Sequence, residues 1–187
     1  MNKILSNFRE LETRYSTKSP SPGYDVLLNE ITLFSKYLWE RNEILDIGCG
    51  KGASMELLIK QGFKCTGTDI VIDNLYHCKK KELEVYWADV CNLYMFDDES
   101  IDNIFCRTTL NYVYDLEKAI SELDRILRKN GKIYVGVGIG LRKRWNSHFE
   151  SNKQAFKMLT KNRINSLYHH TSLYQDSPYF KFVGVKG

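Results

Sequence analysis

The segment Asp46-Ile47-Gly48-Cys49-Gly50-Lys51-Gly52 sets an acid at the end of a short apolar run and follows it with three alternating glycines. Glycine lets the backbone turn with positive φ and lets a ligand approach the main chain where a Cβ would intrude. A helix starting just beyond such a loop offers unpaired N–H groups to a carboxylate. Two more acids follow at intervals, Asp69, 21 residues after Gly48, and Asp89 in Ala88-Asp89-Val90. The first spacing suits hydrogen bonds to ribose hydroxyls, and Asp89 suits the amino group of a base. Recognition of a nucleoside is the chemistry these residues offer.

The glycines alone leave the nucleoside open, because Gly48 to Ala53 also satisfies the dinucleotide fingerprint GxGxx(G/A). Three features separate the alternatives. Asp46 would repel a pyrophosphate but pair with a cationic α-amino group. Asp89 adds a third strand-end acid to read a base. A chain of 187 residues is also short for a second nucleotide half or a hydride-acceptor domain. Simpler roles exist for each residue: Asp46 and Asp69 as loop caps, Gly52 as an aid to packing, Asp89 as a solvated turn. Four such residues in register favour a site.

These acids need strand ends to stand on, and the apolar pattern supplies them. Ile44 to Ile47 reads as a buried strand and Ala53 to Gln61 as a helix stopped by Gly62. Phe63 to Ile70 is the second strand, Asp73 to Lys81 a polar helix, Glu84 to Ala88 the third strand and Ser100 to Cys106 the fourth. Asp115 caps the clearest helix, striped by Leu116, Ala119, Ile120, Leu123, Ile126 and Leu127 and ended by Asn130-Gly131; Lys132 to Val137 is the fifth strand. Short strands alternating with helices imply parallel neighbours joined by right-handed crossovers, hence a doubly wound α/β sheet. A basic helix around 149–162, a strand over 166–173, a turn at Asp176-Ser177-Pro178 and a last strand over 179–185 follow. Upstream, Ile4, Phe8, Leu11 and Tyr15 mark one amphipathic helix and Leu27, Ile31, Phe34 and Leu38 another, with Ser19-Pro20-Ser21-Pro22-Gly23 between them.

Composition limits the function classes. With 43% hydrophobic and 27% charged residues and no run of roughly 18 apolar residues, a soluble protein without a membrane span is expected. Charges interleaved through residues 1–15 leave no secretory core. The cysteines, Cys49, Cys65, Cys78, Cys91 and Cys106, are odd in number and dispersed, which suits reduced thiols in a cytoplasmic protein and argues against a metal site.

In order and spacing, Ile44 to Gly52, Gly67-Thr68-Asp69, Ala88-Asp89-Val90 and Ser100 to Val113 resemble the successive motifs of the class I S-adenosylmethionine-dependent methyltransferases. The resemblance covers roughly residues 43–137. It implies a Rossmann-like, seven-stranded, mostly parallel sheet with the last strand antiparallel, residues 43–187 forming the core and residues 1–42 a helical lid. It further implies S-adenosylmethionine as cofactor and S-adenosylhomocysteine as product. Asp46 with the loop of Gly48, Cys49, Gly50 and Gly52 would hold the methionine end, Asp69 and Ile70 the ribose, Asp89 and Val90 the adenine, and Cys106 with Arg107 would line the cofactor beside the sulfonium. Many small-molecule members carry histidines where Asn111 and Tyr112 stand, two positions placed beside the acceptor. The Asn/Asp-Pro-Pro-aromatic signature of amino-directed nucleobase methylases is missing.

Methyl transfer from a sulfonium needs alignment first and a base only where the acceptor carries a proton. Tyr15, Tyr112, His169 and His170 are the candidate bases; adjacent histidines on a strand face opposite sides, so at most one reaches the site. A small-molecule acceptor is favoured over RNA, against which stands a basic stretch over 141–163 with seven basic residues and one acid. A sensor that binds the cofactor without using it, and a dinucleotide-dependent oxidoreductase, remain open alternatives.

Overall fold

The computed structural model describes residues 24–38, 43–139, 141–142, 145–146, 149–174 and 177–187. Its elements in chain order are α1 (Tyr24–Ser35), β1 (Glu43–Ile47), α2 (Ala53–Lys60), β2 (Lys64–Asp69), α3 (Ile72–Lys80), β3 (Val85–Trp87) and β4 (Ile101–Arg107). A 3₁₀ turn over Thr109–Asn111 precedes α4 (Leu116–Ile126) and β5 (Leu127–Gly138); a two-residue ladder follows, β6 (Leu141–Arg142) against β7 (Trp145–Asn146). Then come α5 (Asn152–Leu159), β8 (Ile164–Tyr174) and β9 (Ser177–Lys186).

Seven strands form one sheet in the order β3-β2-β1-β4-β5-β9-β8. All pairs from β3 to β5 are parallel, while β9 runs antiparallel to both its neighbours, β5 and β8. The expected architecture is thus found, with the antiparallel strand inside the sheet. Successive strands move outward from β1 to β3, and the chain then returns to the other side of β1 as β4. That reversal makes the carboxyl ends of β1 and β4 the switch point, where open α/β sheets hold their ligands.

Helices cover both faces. Leu27, Ile31 and Phe34 of α1 join Met55, Leu57 and Leu58 of α2 and Leu75 and Cys78 of α3 in one core. On the other face, the α4 stripe from Leu116 to Ile126 meets Ala155 and Leu159 of α5. The 100° periodicity that marked Leu27, Ile31 and Phe34 therefore seats α1 flat on the sheet, its Phe34 ring 5.9 Å from Phe105 and 6.1 Å from Tyr134. Of the expected lid, α1 belongs to this core; residues 1–23, with Tyr15 and the first amphipathic helix, lie outside the described residues.

Three boundaries differ from expectation. Strand β9 starts at Ser177 rather than after a turn at Asp176-Ser177-Pro178, because Ser177 and Pro178 already pair with Tyr174 and Leu173 of β8. Helix α4 stops at Ile126 rather than at Asn130-Gly131, because Leu127 turns extended and enters β5. The buried Nζ of Lys186 completes the stop by donating to the carbonyl oxygens of Asp124 (2.6 Å) and Leu127 (2.7 Å), groups a helix end otherwise leaves unpaired. Helix α5 starts at Asn152 rather than Phe149, where Ser151 Oγ accepts from the Gln154 N–H and Gln154 Oε1 accepts from the Glu150 N–H, a reciprocal cap.

Candidate functional site

At the switch point the three loop glycines all have positive φ: +70° at Gly48, +55° at Gly50 and +84° at Gly52. Their surroundings differ. A Cβ on Gly48 would collide with the Thr109 side chain and one on Gly52 with Leu83, whereas one on Gly50 would meet nothing within 4 Å. Gly48 and Gly52 are thus glycine because protein packs against them, and Gly50 leaves bare backbone facing open space.

Asp69, at the end of β2, ties this loop to its neighbour. Its Oδ2 accepts from the Gly50 N–H at 2.8 Å, and its Oδ1 accepts from the Val71 N–H at 2.8 Å and from Asn74 Nδ2 at 3.3 Å. Burial raises its pKa, and the N–H donors oppose that rise. Asp46 lies deeper, near the end of strand β1, where its Oδ2 accepts from Ser54 Oγ. Burial pushes the Asp46 carboxyl up to about 7, the Ser54 hydroxyl lowers it and the nearby Asp69 charge raises it further. Two buried acids therefore stand beside a bare glycine backbone, an arrangement that repels phosphate and gains from an ammonium. On that ground the residues fit an amino-acid-bearing nucleoside.

Asp89 lies at the turn after β3, half-buried, with Oδ1 accepting from the Cys91 N–H at 2.8 Å. Val90 beside it is buried. The half-buried Ile70 follows Asp69, and its carbonyl accepts from the Trp87 indole at 2.9 Å, so the ends of β2 and β3 are fastened together.

The residues after β4 are held by partners within the protein. Cys106 is wholly buried, its thiol pushed up to about 12 by burial, so it lines the core under the site. Arg107 pairs through Nε with the buried Glu30 of α1 and lies 5.9 Å over the Tyr179 ring. Asn111, expected beside the acceptor, is buried and engages Gly138 with both ends of its amide. Tyr112 packs against Tyr179, at the start of β9. Thr108 holds φ +62°, a costly conformation for a β-branched residue, so the backbone at the β4 end is strained where it enters the site.

His169 packs on Phe156 of α5, ring centroids 4.6 Å apart, and His170 pairs in register with Lys181 on the opposite face. Both lie on the edge strand β8, three strands from β4, or roughly 14 Å at ordinary strand spacing. They do not converge with the glycine loop. In the basic stretch, Lys161 pairs with Glu117 at 3.0 Å and Arg163 with Glu99 at 3.1 Å, while Lys153 and Lys157 are exposed. Lys143 and Arg144 lie outside the described residues.

Ser54, Asn74, Thr109 and Glu30 also stand at the site, without a motif in the sequence to mark them. Thr109 fills the space at Gly48 and donates from Oγ1 to the Ile47 carbonyl at 2.8 Å. Glu30 carried a legible signal, an acid at the i+3 position of the apolar stripe Leu27, Ile31, Phe34. A groove of about 340 Å³ opens elsewhere, at the amino ends of β1, β2 and β4, lined among others by Glu43, Lys64, Thr66 and Ile101, on the opposite edge from the glycine loop.

Residues 45–135 match the methyltransferase-domain family. The chain is 25% identical over 139 residues to a ubiquinone biosynthesis O-methyltransferase of Pelagibacter ubique, covering 72% of this chain and 55% of that protein. It is 29% identical over 129 residues to a sterol 4-C-methyltransferase of Caenorhabditis elegans, covering 65% and 37%. The chain thus spans from about a third to about half the length of these relatives. Among solved structures, an S-adenosylmethionine-dependent methyltransferase from Methanosarcina mazei superposes with a TM-score of 0.74 at 21% identity, over 82% of this chain and 96% of that one.

Proposed function

Because the chain belongs to the class I S-adenosylmethionine-dependent methyltransferase family, we propose that it transfers the cofactor's methyl group to a small-molecule acceptor. The observation that carries this reading is the Gly50 backbone, open where a Cβ would stand and bonded to Asp69, with the buried Asp46 carboxylate close to that of Asp69. In the proposal Asp46 pairs with the amino group of the methionine end, the loop amides meet its carboxylate, Asp69 takes the ribose hydroxyls, and Asp89 with Val90 borders the adenine. The bound cofactor supplies an activated methyl on a sulfonium, so this chain's own residues contribute alignment and exclusion of water rather than bond-breaking.

A small acceptor is supported by the two relatives, named for ubiquinone biosynthesis and a sterol, and by the pairing of Lys161 and Arg163 with acids on their own chain. Those relatives are an O- and a C-methyltransferase, so the acceptor atom is not set by kinship. The acceptor side is proposed to lie beyond the end of β4, where Tyr112 and Tyr179 meet; Tyr112 is the described candidate base nearest to it.

Binding and turnover test the proposal separately. S-adenosylhomocysteine at a hundredfold excess over its Kd adds about 2.7 kcal/mol and should raise the melting temperature by roughly 5 to 10 °C, with no effect of NAD. Tritium from methyl-labelled cofactor should pass into the small-molecule fraction of a cell extract. A larger shift with NAD overturns the cofactor, and binding without transfer makes the protein a sensor.

A further inference from the structure

Two cysteines that the cofactor reading leaves without a chemical task meet at the glycine loop. Cys49 lies in the loop and Cys78 on α3, 29 positions later, yet both thiols lean on one atom: the Gly50 carbonyl oxygen is 3.2 Å from Cys78 Sγ and 3.7 Å from Cys49 Sγ. The two thiols also interact with each other. Cys49 Sγ lies over Gly67 and Cys78 Sγ over Gly52, two positions where glycine leaves room for the sulfur. Among the described residues, no hydrogen bond joins the thiol of Cys65, Cys91 or Cys106 to another cysteine.

We propose that Cys49 and Cys78 form an oxidation site, in which a hydroperoxide converts the pair into a disulfide that closes the glycine loop to the cofactor. Cys78 reacts first. Its pKa is lowered by the Cys49 hydrogen bond, against burial, and by the nearby Lys81 charge, and the thiolate is the nucleophile towards peroxide. The Cys78 sulfur attacks the peroxide, the O–O bond breaks, and one water leaves as Cys78 becomes a sulfenic acid. Cys49 sulfur then attacks the sulfenic sulfur, its proton leaves with the hydroxide as a second water, and the S–S bond forms. In sum two thiols and one hydrogen peroxide give one disulfide and two waters; the thiols lose two electrons and the peroxide gains them.

The effect on the cofactor follows from what lies between the sulfurs. An S–S bond of about 2.05 Å draws the loop towards α3 and displaces the Gly50 carbonyl, and with it the Gly50 N–H that Asp69 holds. A ligand lying on Gly50 in turn holds the loop away from α3, so cofactor and cross-link exclude each other, and by linkage each opposes the other equally.

The inference rests on the cofactor reading, and its test keeps the two apart. Full-length protein is treated with hydrogen peroxide, blocked with N-ethylmaleimide and mapped as non-reduced peptides, with and without saturating S-adenosylhomocysteine. A Cys49–Cys78 cross-link, reversed by dithiothreitol and formed at least tenfold more slowly with the ligand, is expected. Calorimetry of the oxidised protein should show at least tenfold weaker binding than of the reduced protein. Cys78→Ala should abolish the peroxide effect on binding, and Cys65→Ala should keep it. Sulfinic acid at Cys78, another pairing, or equal affinity of the two forms overturns the inference. Failure of the reduced protein to bind overturns the cofactor reading instead.

Discussion

Asn111 and Gly138 hold each other by two hydrogen bonds, Nδ2 donating to the Gly138 carbonyl and Oδ1 accepting from its N–H, each at 3.0 Å. The turn after β4 is thereby fixed to the end of β5, across the mouth of the site. Removing both bonds in Asn111→Ala should cost about 2–4 kcal/mol, because the backbone groups are buried. Urea denaturation should show that loss, with a melting temperature lower by roughly 5–15 °C. Wild-type stability with turnover lost would return Asn111 to the acceptor contact first expected of it.

The loop glycines should separate by phenotype. Gly50→Ala meets no atom and bears only the left-handed backbone cost of about 1–2 kcal/mol, so it should fold and yet bind S-adenosylhomocysteine at least tenfold more weakly. Gly48→Ala and Gly52→Ala add a collision with Thr109 or Leu83, worth about 1–3 kcal/mol more. Thermal melts beside calorimetry decide the matter; equal instability at all three positions would show that Gly50 faces protein.

Asp69→Ala should injure both binding and fold. It should weaken binding by about 2 kcal/mol for the lost ribose partner, and it also leaves the N–H groups of Gly50 and Val71 without their acceptor. The ligand-free melting temperature should therefore fall as well. A variant that melts like wild type and binds like wild type sinks this strand-end assignment.

Asp46 gives the pH dependence its sign. Its folded pKa, raised to about 7, exceeds the unfolded value near 4, so the folded state holds the extra proton between them. Its contribution to stability is complete below about pH 4 and is lost as pH rises through 7. Binding runs the other way, since the ammonium of the ligand pairs with the ionised carboxylate. Affinity for S-adenosylhomocysteine should rise between pH 6 and 8, with proton release measurable by calorimetry in buffers of different ionisation enthalpy. Asp46→Asn should bind weakly with that rise abolished.

The basic stretch can be tested through salt. Replacing Lys153, Lys157 and Lys161 by Gln should leave turnover of a small acceptor nearly unchanged. If RNA is bound there, the slope of log affinity against log salt should flatten by roughly two to three units. Tight, salt-sensitive RNA binding that the triple variant loses would overturn the small-molecule reading.

What could be read from the sequence was what has a period or a fixed offset. Strands β1 to β4, helices α2 to α4, the cap at Asp115 and the acids at strand ends all follow from apolar spacing and turn residues. The stop of α4 could not be read, because its cap is Lys186, some 60 residues away in sequence, and no local signal announces a lysine that ends on two carbonyls. The partners of Asn111 and Arg107 were illegible for a related reason. Their partners, Gly138 and Glu30, are brought in by β5 and α1, and a resemblance between motifs is blind to what a particular chain packs against them.

The insertion of β9 between β5 and β8 gives assembly an order. During synthesis β8 emerges before β9, although among the described residues it bonds to no strand but β9. Until residue 186 is free of the ribosome, β5 also presents one bare edge, and α4 lacks the lysine that closes its last turn. The half of the sheet that carries the nucleoside loop has no such wait, since among the described residues β1 to β4 pair with one another and with β5. The cofactor half is therefore complete first, and ligand present at that stage can hold it while the remaining edge is still open to wrong partners.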